Sequence, residues 1–488
     1  MALEDIREER IKKAEAIRSA GVDPYPADTG AVLPTADAKK KFATLAKSKK
    51  EISVAGRLMA RRGHGGSTFF DVADASGTLQ AYAKEDVLGA EQYRLFSDTV
   101  DIGDFLRISG TLFLTKKEEK TIEVHSWAML AKSLRPLPEK WHGLQDVEER
   151  FRRRYLDLLM NVEVRERFSS RSAIIKTIRA FHEDRGFIEV ETPMLHPIPG
   201  GTLAKPFVTH HNALDVDLYL RIAPELYLKR LLVGGMERVF EIGRCFRNEG
   251  MDASHNPEFT MLECYAAYWN EHDMMAFVED LFVALAEQFG NKSEITAEDK
   301  KITFKKPFQR IAFKDLLGRY ALITEYDRET QGSLGMHARR FGIEASQHDS
   351  KAKIADEIYK KICRPHLIQP TFVTNHPLEI SPLAKKRKEN PEEVRRLQLV
   401  VGGWELTNGW AELNDPIDQY ARFAEQEQER EGGEEEAMRM DTDYVEAMEY
   451  GMPPAAGLGI GIDRTVMLLT DTKNIREVVL FPTMRPKQ

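Results

Sequence analysis

The chain has 488 residues, of which 30% are charged, and its formal net charge at pH 7 is -8. This length predicts two or three globular domains with ample material for a core. No apolar run approaches the roughly 20 residues that a helix needs to cross a bilayer, and the first residues are charged, so we expect a cytoplasmic protein without a membrane anchor. The cysteines Cys245, Cys264 and Cys363 have neither CxxC spacing nor a nearby histidine, which argues against a disulfide framework and a zinc site.

The first part of the chain is expected to combine helices with a small β-barrel. Residues 1–50 have a helical pattern, broken at Gly21 and at a PYP turn, and residues 51–135 contain five short alternating strands with a helical stretch between the third and the fourth. This order is typical of an OB-fold barrel, a shape that commonly binds single-stranded nucleic acid. The alternative is a five-stranded barrel that binds no nucleic acid.

A larger α+β region follows a predicted linker at residues 136–161, which begins with two prolines. Residues 162–488 open with an amphipathic helix over 164–186, which Gly186 ends. Pro193 in the next strand cannot donate a hydrogen bond, so this strand is expected at an edge or an interface. Residues 290–370 are predicted to form a mostly helical insertion.

A charged hairpin is predicted at residues 239–268. The segments VFEIGRCFRNE and FTMLECYAAY alternate like two strands, with the loop between them. Alternation places Arg247 and Glu249 on one face of the first strand, and Phe259, Glu263 and Tyr265 on one face of the second. Such a face suits a planar ligand that is anionic at one end and cationic at the other, because arginine binds phosphate or carboxylate through two hydrogen bonds. The alternative is a solvated face with ion pairs.

A glycine-rich strand is predicted within residues 453–469. Gly457, Gly459 and Gly461 share one face, which indicates that something flat lies against the backbone. Asp463 is expected to cap the helix that follows, which leaves Arg464 at its positive end, where a nucleotide would bind favourably. The alternative is tight packing of a helix on a sheet. The pattern is neither GxGxxG nor GxxxxGK[ST], so it indicates neither a Rossmann fold nor a P-loop.

A possible metal-binding pattern lies within residues 396–415. Gln398, Glu405 and Glu412 recur every seven residues, but the valines, tryptophans and paired glycines between them favour strands. A β-bulge at residues 402–403 would return Gln398 and Glu405 to one face. Oxygen ligands in that arrangement would suit Mg²⁺ bridging phosphates.

Taken together, these stretches resemble the class II lysyl-tRNA synthetases of bacterial type over essentially the full chain. The strand FIEVETPML, the loop FRNEGMDASHNPEFT and the segment GLGIGIDR match the three class signatures, and IAPELYLKRLLVGG and ELTNGWAELND match the family itself. The resemblance implies an OB-fold anticodon-binding domain followed by a catalytic domain with an antiparallel sheet flanked by helices. It also implies a homodimer, with Pro193 at the interface, that uses ATP and Mg²⁺ to attach L-lysine to tRNA(Lys).

The resemblance further implies roles for individual residues, with Arg247 and Arg464 as the catalytic residues. ATP would contact Arg247, Glu249, His255, Asn256, Phe259, Glu405 and Arg464. Lysine would contact Gly200, Glu225, Arg247, Glu263, Tyr265, Asn408, Trp410 and Glu412. Mg²⁺ would bind Glu405 and Gln398, and the anticodon would contact Arg57, Arg62, Phe69 and Gln80.

Three positions depart from the family pattern. Gln398 stands where relatives usually have a metal-binding glutamate, Trp410 replaces a common phenylalanine, and Ser126 aligns with a glutamate that relatives often carry late in the fifth barrel strand. Glu123 lies near Ser126 in the sequence and is the candidate replacement.

Three other functions compete with this one. An aspartyl- or asparaginyl-tRNA synthetase would share the barrel and the sheet, but its site needs a cation where this sequence offers carboxylates and a phenol. A non-catalytic tRNA-binding regulator is disfavoured by the intact Arg247 and Arg464. A ligase that modifies a protein with lysine is disfavoured by the barrel.

Overall fold

The computed structural model describes residues 2–138, 146–346, 349–432 and 437–487. The chain divides into two compact units, residues 1–144 and 145–488. Across these described ranges, no helix is both long and apolar enough to cross a membrane.

The first unit consists of short helices and a closed five-stranded barrel. Its elements are α1 (Leu3–Ser19), α2 (Thr35–Lys40), α3 (Phe42–Ser48), β1 (Ile52–His64), β2 (Ser67–Asp74), β3 (Gly77–Lys84), α4 (Glu85–Leu88), α5 (Ala90–Thr99), β4 (Phe105–Leu114) and β5 (Lys120–Ala131). The barrel closes in the order β1-β2-β3-β5-β4. The predicted OB-fold, with its helical stretch between the third and fourth strands, is confirmed.

Side chains alternate along the barrel strands between a buried interior and the outer face. Leu58, Phe70 and Leu79 are fully buried, and the ring of Phe96 from α5 packs on Phe70. The neighbours of these residues in each strand therefore point outward, because successive side chains of a strand leave opposite faces. This alternation leaves the outer face of β2 and β3 available for a ligand.

The second unit begins with helices and continues into a large sheet. Its helices are α6 (Val147–Arg152), α7 (Arg154–Met160), α8 (Val162–Glu183), α9 (Glu225–Val233), α10 (Glu271–Phe289), α11 (Phe313–Ala321), α12 (Gln331–Arg340), α13 (Lys351–Ile358), α14 (Pro416–Glu431), α15 (Thr442–Glu449) and α16 (Ile462–Leu469). The predicted linker at 136–161 thus includes α6 and α7, while residues 139–145 lie outside the described part of the chain.

Thirteen strands lie among the described residues of the second unit. They are β6 (Ile188–Glu189), β7 (Leu195–His196), β8 (Val208–His211), β9 (Val216–Leu220), β10 (Arg238–Phe246), β11 (Glu258–Ala267), β12 (Glu294–Ala297), β13 (Lys300–Thr303), β14 (Gln309–Ala312), β15 (Thr371–Thr374), β16 (Arg396–Val401), β17 (Trp404–Ala411) and β18 (Ala455–Gly461). Eight of them form one sheet in the order β14-β15-β16-β17-β18-β11-β10-β6. Its inner strands are antiparallel as predicted, but β14 and β6 pair in parallel at the two edges, so the sheet is mixed.

The core of the second unit lies on one face of this sheet. Leu262 and Cys264 of β11 and Leu458 of β18 are buried there against helices α8 and α10, which contribute Ile178 and Phe277. Because strands alternate, residues 261, 263 and 265 of β11 and residues 457, 459 and 461 of β18 must leave the opposite face. The candidate functional site is built on that opposite face.

The structure corrects two predictions about strand geometry. Strand β10 ends at Phe246, so Arg247 and Glu249 belong to the loop rather than to the strand. Gly402 and Gly403 do not form a bulge: both have positive φ angles and make the tight turn between β16 and β17. The irregularity in this pair lies instead between Leu399 and Val400.

Two further predictions need correction. Asp463 does not cap α16, because that helix begins at Ile462, and the Asp463 carboxylate accepts hydrogen bonds from Arg171 (2.6 Å) and from the Thr260 backbone N–H (2.7 Å). The insertion at 290–370 is mostly helical, but it also contributes three short strands, and one of them, β14, extends the main sheet.

Candidate active site

A cavity of about 180 Å³ lies on the open face of β11, β17 and β18. Its wall contains twelve of the predicted ATP-, lysine- and metal-binding residues: Glu225, Arg247, Glu249, His255, Asn256, Phe259, Glu263, Tyr265, Glu405, Asn408, Trp410 and Arg464. Residues distant in the sequence meet here because β18 pairs with β11 on one side and with β17 on the other. Gly200, Gln398 and Glu412 are not part of the cavity wall.

Arg247 lies where the first strand of the hairpin gives way to the loop. Its guanidinium carbon is 5.0 Å from the centre of the Phe259 ring, and its Nε is buried without a hydrogen-bond partner among the described residues. A buried N–H without an acceptor is costly. Arg247 is therefore a donor prepared for an anionic ligand.

A second cationic group lies beside the loop, on α16. An N–H of Arg464 donates to Nε2 of His255 (3.1 Å), and Nδ1 of His255 donates to Asp252 (2.9 Å). Burial opposes ionisation of Asp252, but hydrogen bonds from Ser254 and His255 lower its pKa to about 2. The ionised carboxylate fixes the histidine ring, so Arg464 and His255 reach the cavity as a pair.

Glu405 is held from behind by two residues. The Gln398 amide donates to the Glu405 carboxylate (2.8 Å), and the Tyr359 hydroxyl donates to the Gln398 side-chain oxygen (2.5 Å). Tyr359 comes from a π-helical turn, Tyr359–Cys363, in the insertion. Burial raises the pKa of Tyr359 well above 10, which keeps the hydroxyl protonated as a donor. Gln398 and Glu405 thus do share a face, although the predicted bulge is absent.

The two predicted metal ligands are therefore not equivalent. Glu405 lines the cavity, whereas Gln398 is 4% exposed and its oxygen already accepts a hydrogen bond. In the described part of the chain, no group of three or more histidine, cysteine, aspartate or glutamate residues is arranged to hold a metal ion. A single carboxylate still fits Mg²⁺ bound to a nucleotide, because such an ion takes most of its ligands from phosphates and water.

The opposite end of the cavity is acidic and buried. The Tyr265 hydroxyl donates to Glu263 (2.8 Å), and the Trp410 ring N–H donates to Glu412 (2.9 Å). Glu412 is 2% exposed and lies next to the residues that line this end, without lining it itself. Burial raises the pKa of Glu263 and of Glu412 to about 8. Buried carboxyl groups of this kind bind a cation strongly when they ionise.

Lys229, which was not among the predicted site residues, also lies among these acidic groups. Its ammonium is fully buried, is 2.5 Å from Glu412 and also pairs with Glu225 one helical turn earlier in α9. The four-residue spacing from Glu225 to Lys229 was a usable signal, since glutamate and lysine at that spacing pair on a helix. The pairing with Glu412 had no sequence signal, because the two residues are 183 positions apart.

The three glycines of β18 serve different purposes. A Cβ atom at Gly457 would lie 2.2 Å from both the Glu412 carboxylate and the Tyr265 ring. A Cβ atom at Gly459 or Gly461 would meet nothing closer than 3.7 Å. Gly457 therefore makes room for neighbouring side chains, whereas Gly459 and Gly461 leave an open, flat floor.

Asn408 and Gly200 were also predicted to contact lysine. The Asn408 side chain accepts a hydrogen bond from Arg396 (2.9 Å), which fixes its orientation beside the cavity. Gly200 packs against Leu226, and it is the next residue, Gly201, that lines the cavity with a positive φ of 94°.

The predicted anticodon residues are distributed over the barrel surface. Phe69 is half-buried on β2, 4.5 Å from the ring of Tyr82 on β3, which in turn lies 6.2 Å from Phe113. Tyr82 and Phe113 were not among the predicted residues, although the alternation of β3 places Tyr82 on the same face as Gln80. These rings form an aromatic surface of the kind on which bases stack.

The polar anticodon candidates differ in how far contacts within the barrel hold their side chains. Arg62 is exposed and pairs in register with Phe69. Gln80 accepts a hydrogen bond from Thr121 (2.9 Å), and Arg57 donates to the Gly103 carbonyl (2.9 Å) and covers the Phe105 ring. Of the two candidates late in the barrel, Glu123 pairs with Tyr82 in register, whereas Ser126 pairs with Ser109.

Comparison with known proteins agrees with this geometry. Residues 146–485 match the family of class II tRNA synthetases (D, K and N), and residues 52–130 match the OB-fold nucleic acid binding domain. The chain is 48% identical over 485 residues to a lysine–tRNA ligase of Carboxydothermus hydrogenoformans, which covers 99% of both chains. It is 46% identical over 488 residues to a lysine–tRNA ligase of Roseiflexus sp., which covers 100% of both. The chain therefore belongs to the class II tRNA synthetases, within the group of lysine–tRNA ligases.

Proposed function

We propose that the protein activates L-lysine with ATP and transfers the lysyl group to the 3′ end of tRNA(Lys). The observation that carries this proposal is the polarity of the cavity. Arg247, with its unpartnered Nε, and Arg464 offer cationic groups near one end, and Glu263, Tyr265 and Glu412 gather at the other. A nucleotide's phosphates and an amino acid with a terminal ammonium match these two ends.

The first step joins the two substrates at Arg247. A lysine carboxylate oxygen attacks the α-phosphorus of ATP, the bond to the pyrophosphate oxygen breaks, and pyrophosphate leaves with the electron pair. Arg247 can donate to both the carboxylate and the α-phosphate, which holds them in line and offsets their repulsion. The adenine would lie between Phe259 and Arg464, beside Glu249. Positioning and charge neutralisation accelerate this step without a protein acid or base.

The second step moves the lysyl group to tRNA. A hydroxyl of the terminal ribose attacks the carbonyl carbon of the adenylate, an ester forms, and AMP leaves with the electron pair while the hydroxyl proton passes to its phosphate or to solvent. Asn408 and Trp410 would border the aliphatic part of lysine, and Gly200 would belong to the mobile segment around it. His255 and Asn256 would lie beside the distal phosphates.

We infer that Mg²⁺ is held by Glu405, with Gln398 behind it. When bound there, the ion supplies positive charge that neutralises the phosphates of ATP. Arg364 lies 3.8 Å from the same carboxylate and adds a protein cation to this end of the cavity.

We also propose that the barrel binds the anticodon and that two copies of the chain form a dimer in the cytoplasm. The aromatic surface around Phe69 supports base stacking, with Arg57, Arg62 and Gln80 available for polar contacts. Edge strand β6 and the exposed side chains of Ile188, Met194 and Leu195 support a dimer interface, because unpaired strand edges and exposed apolar side chains favour association.

Amino-acid-dependent exchange of pyrophosphate into ATP tests the substrate. We expect L-lysine to support exchange and L-aspartate and L-asparagine not to, because their side chains bring no cation to the acidic end. Ornithine should support exchange weakly, since one methylene changes binding by about 1 to 3 kcal/mol. Exchange with aspartate but not with lysine would contradict the proposal.

Arg247→Ala should abolish lysine-dependent exchange, because no other described side chain is placed to contact both reacting groups. The matched control is Arg244→Ala, on strand β10 shortly before that loop, where the arginine pairs with Glu258 at 3.6 Å. We expect the control to keep near-normal exchange. Substantial exchange in Arg247→Ala would remove this residue from its proposed role.

Gln398→Glu should strengthen Mg²⁺ binding and make folding depend on it. Two adjacent carboxylates repel one another without a cation. In EDTA the variant should therefore unfold at a lower temperature than the parent, and added Mg²⁺ should raise its unfolding temperature back to the parent's value. Thermal unfolding at several Mg²⁺ concentrations measures this. Gln92→Glu, at an exposed position of α5, controls for the added charge, and equal Mg²⁺ dependence in all three proteins would disprove the proposed arrangement.

Phe69→Ala should weaken tRNA charging by about 1 to 3 kcal/mol, the value of one base stack, while exchange stays unchanged. Charging rates at several tRNA concentrations, set beside exchange rates, separate the two steps. Val87→Ala, at an exposed position of α4, is the control on the same domain. An equal loss of charging and exchange would instead indicate misfolding.

A further inference from the structure

Lys229 is a fully buried cation that the proposed reaction leaves unused. Its ammonium pairs with Glu225 and, at 2.5 Å, with Glu412, and it lies 5.8 Å and 5.7 Å from the ring centres of Tyr265 and Trp410. All four partners belong to the set predicted to bind lysine. A buried charge is tolerated only when it is well paired, so this ammonium and the two carboxylates constrain one another.

Glu412 uses its two oxygens differently. One oxygen accepts from the Trp410 ring N–H and faces Lys229, while the other is buried and has no hydrogen-bond partner among the described residues. That second oxygen would lie 2.2 Å from a Cβ atom at Gly457, which lines the cavity. The unpartnered oxygen is therefore directed toward the space above Gly457, where a ligand's ammonium would satisfy it.

We propose that Lys229 is a positioning residue that determines lysine specificity, by holding Glu412 and Glu225 so that a defined set of carboxylate oxygens faces the substrate. This proposal rests on the proposed function and deepens it. Lys229 does not contact the reacting atoms. Its ammonium occupies the far side of the two carboxylates, which leaves the near side to the substrate.

Charge balance gives the second reason for this role. The groups that face this corner are Glu225 and Lys229 on α9, Glu263 and Tyr265 on β11, Glu412 after β17 and Tyr444 on α15, with Arg230 and Arg247 nearby. When all three carboxyl groups are ionised, Lys229 and Arg247 leave one negative charge, which matches the net positive charge of lysine. Without Lys229, the negative charge of the three carboxylates would face only Arg247 in this balance.

The pH dependence follows from the same balance. Burial raises the pKa of Glu263 and Glu412 to about 8, and Lys229 opposes this rise. An ammonium binds the ionised carboxylates, so lysine affinity should increase as the pH rises through this pKa. Removal of Lys229 raises the pKa of both groups further, which moves the increase in affinity to higher pH.

Lys229→Met in the full-length protein tests the inference through pyrophosphate exchange. At pH 7 we expect the KM for lysine to rise about tenfold, because the carboxyl groups that would bind its ammonium are less ionised without Lys229, while kcat and the KM for ATP change little. The profile of kcat/KM for lysine against pH should move to higher pH. Lys176→Met, at an exposed position of α8, should retain the parent's values.

A double variant keeps the test decisive if Lys229→Met does not fold. Lys229→Met with Glu225→Gln removes one buried cation together with one buried anion, which is far less destabilising than leaving a buried carboxylate unpaired. Its KM for lysine should also rise, but its pH profile should stay near that of the parent. A double-variant profile displaced upward would overturn the inference.

The outcomes also separate this inference from the proposed function. If the parent shows no lysine-dependent exchange, the proposed function itself fails. If the parent uses lysine but Lys229→Met keeps the parent's KM for lysine and its pH profile, only the positioning role is wrong. A kcat that falls in parallel for every substrate and at every pH would indicate a purely structural effect and would likewise overturn it.

Discussion

The arrangement of buried charge at the acidic end of the cavity is the constraint on which the rest of this site depends. Glu225, Glu263 and Glu412 are brought together in a region that excludes water, where carboxylates cannot ionise without cations. Lys229 supplies one cation permanently, and the remaining negative charge is available to a ligand. We therefore propose that this cavity selects its ligand by charge before it selects by shape.

The sheet makes this corner possible because its two faces have different roles. Leu262, Cys264 and Leu458 pack on the helices, and that core fixes the register of β11 against β18. Once the register is fixed, Tyr265 lies opposite Gly457 and Glu263 opposite Gly459. A shift of one residue would exchange the two faces and place the carboxylates in the apolar core. The hydrophobic core therefore positions the acidic groups, although its own side chains lie on the other face of the sheet.

The end of the cavity that we propose for the nucleotide is supported by a different part of the chain. Tyr359 and Arg364 both come from the insertion. Tyr359 contacts Gln398, which in turn contacts Glu405, whereas Arg364 lies beside Glu405 itself. β14 ties the same insertion to the edge of the sheet. The insertion thus orients the carboxylate that we propose to hold Mg²⁺.

The barrel, the charged hairpin, the alternating glycines and the family could all be predicted from the sequence, because each depends on local periodicity or on a contiguous motif. The folded chain was needed to show that Lys229 pairs with Glu412, that Gln398 lies behind Glu405 and that Asp463 binds Arg171 and Thr260 rather than capping its helix. These contacts join residues that are distant in the sequence or lie on different strands. Their partners and their burial are fixed by strand register and by packing, which local patterns do not encode.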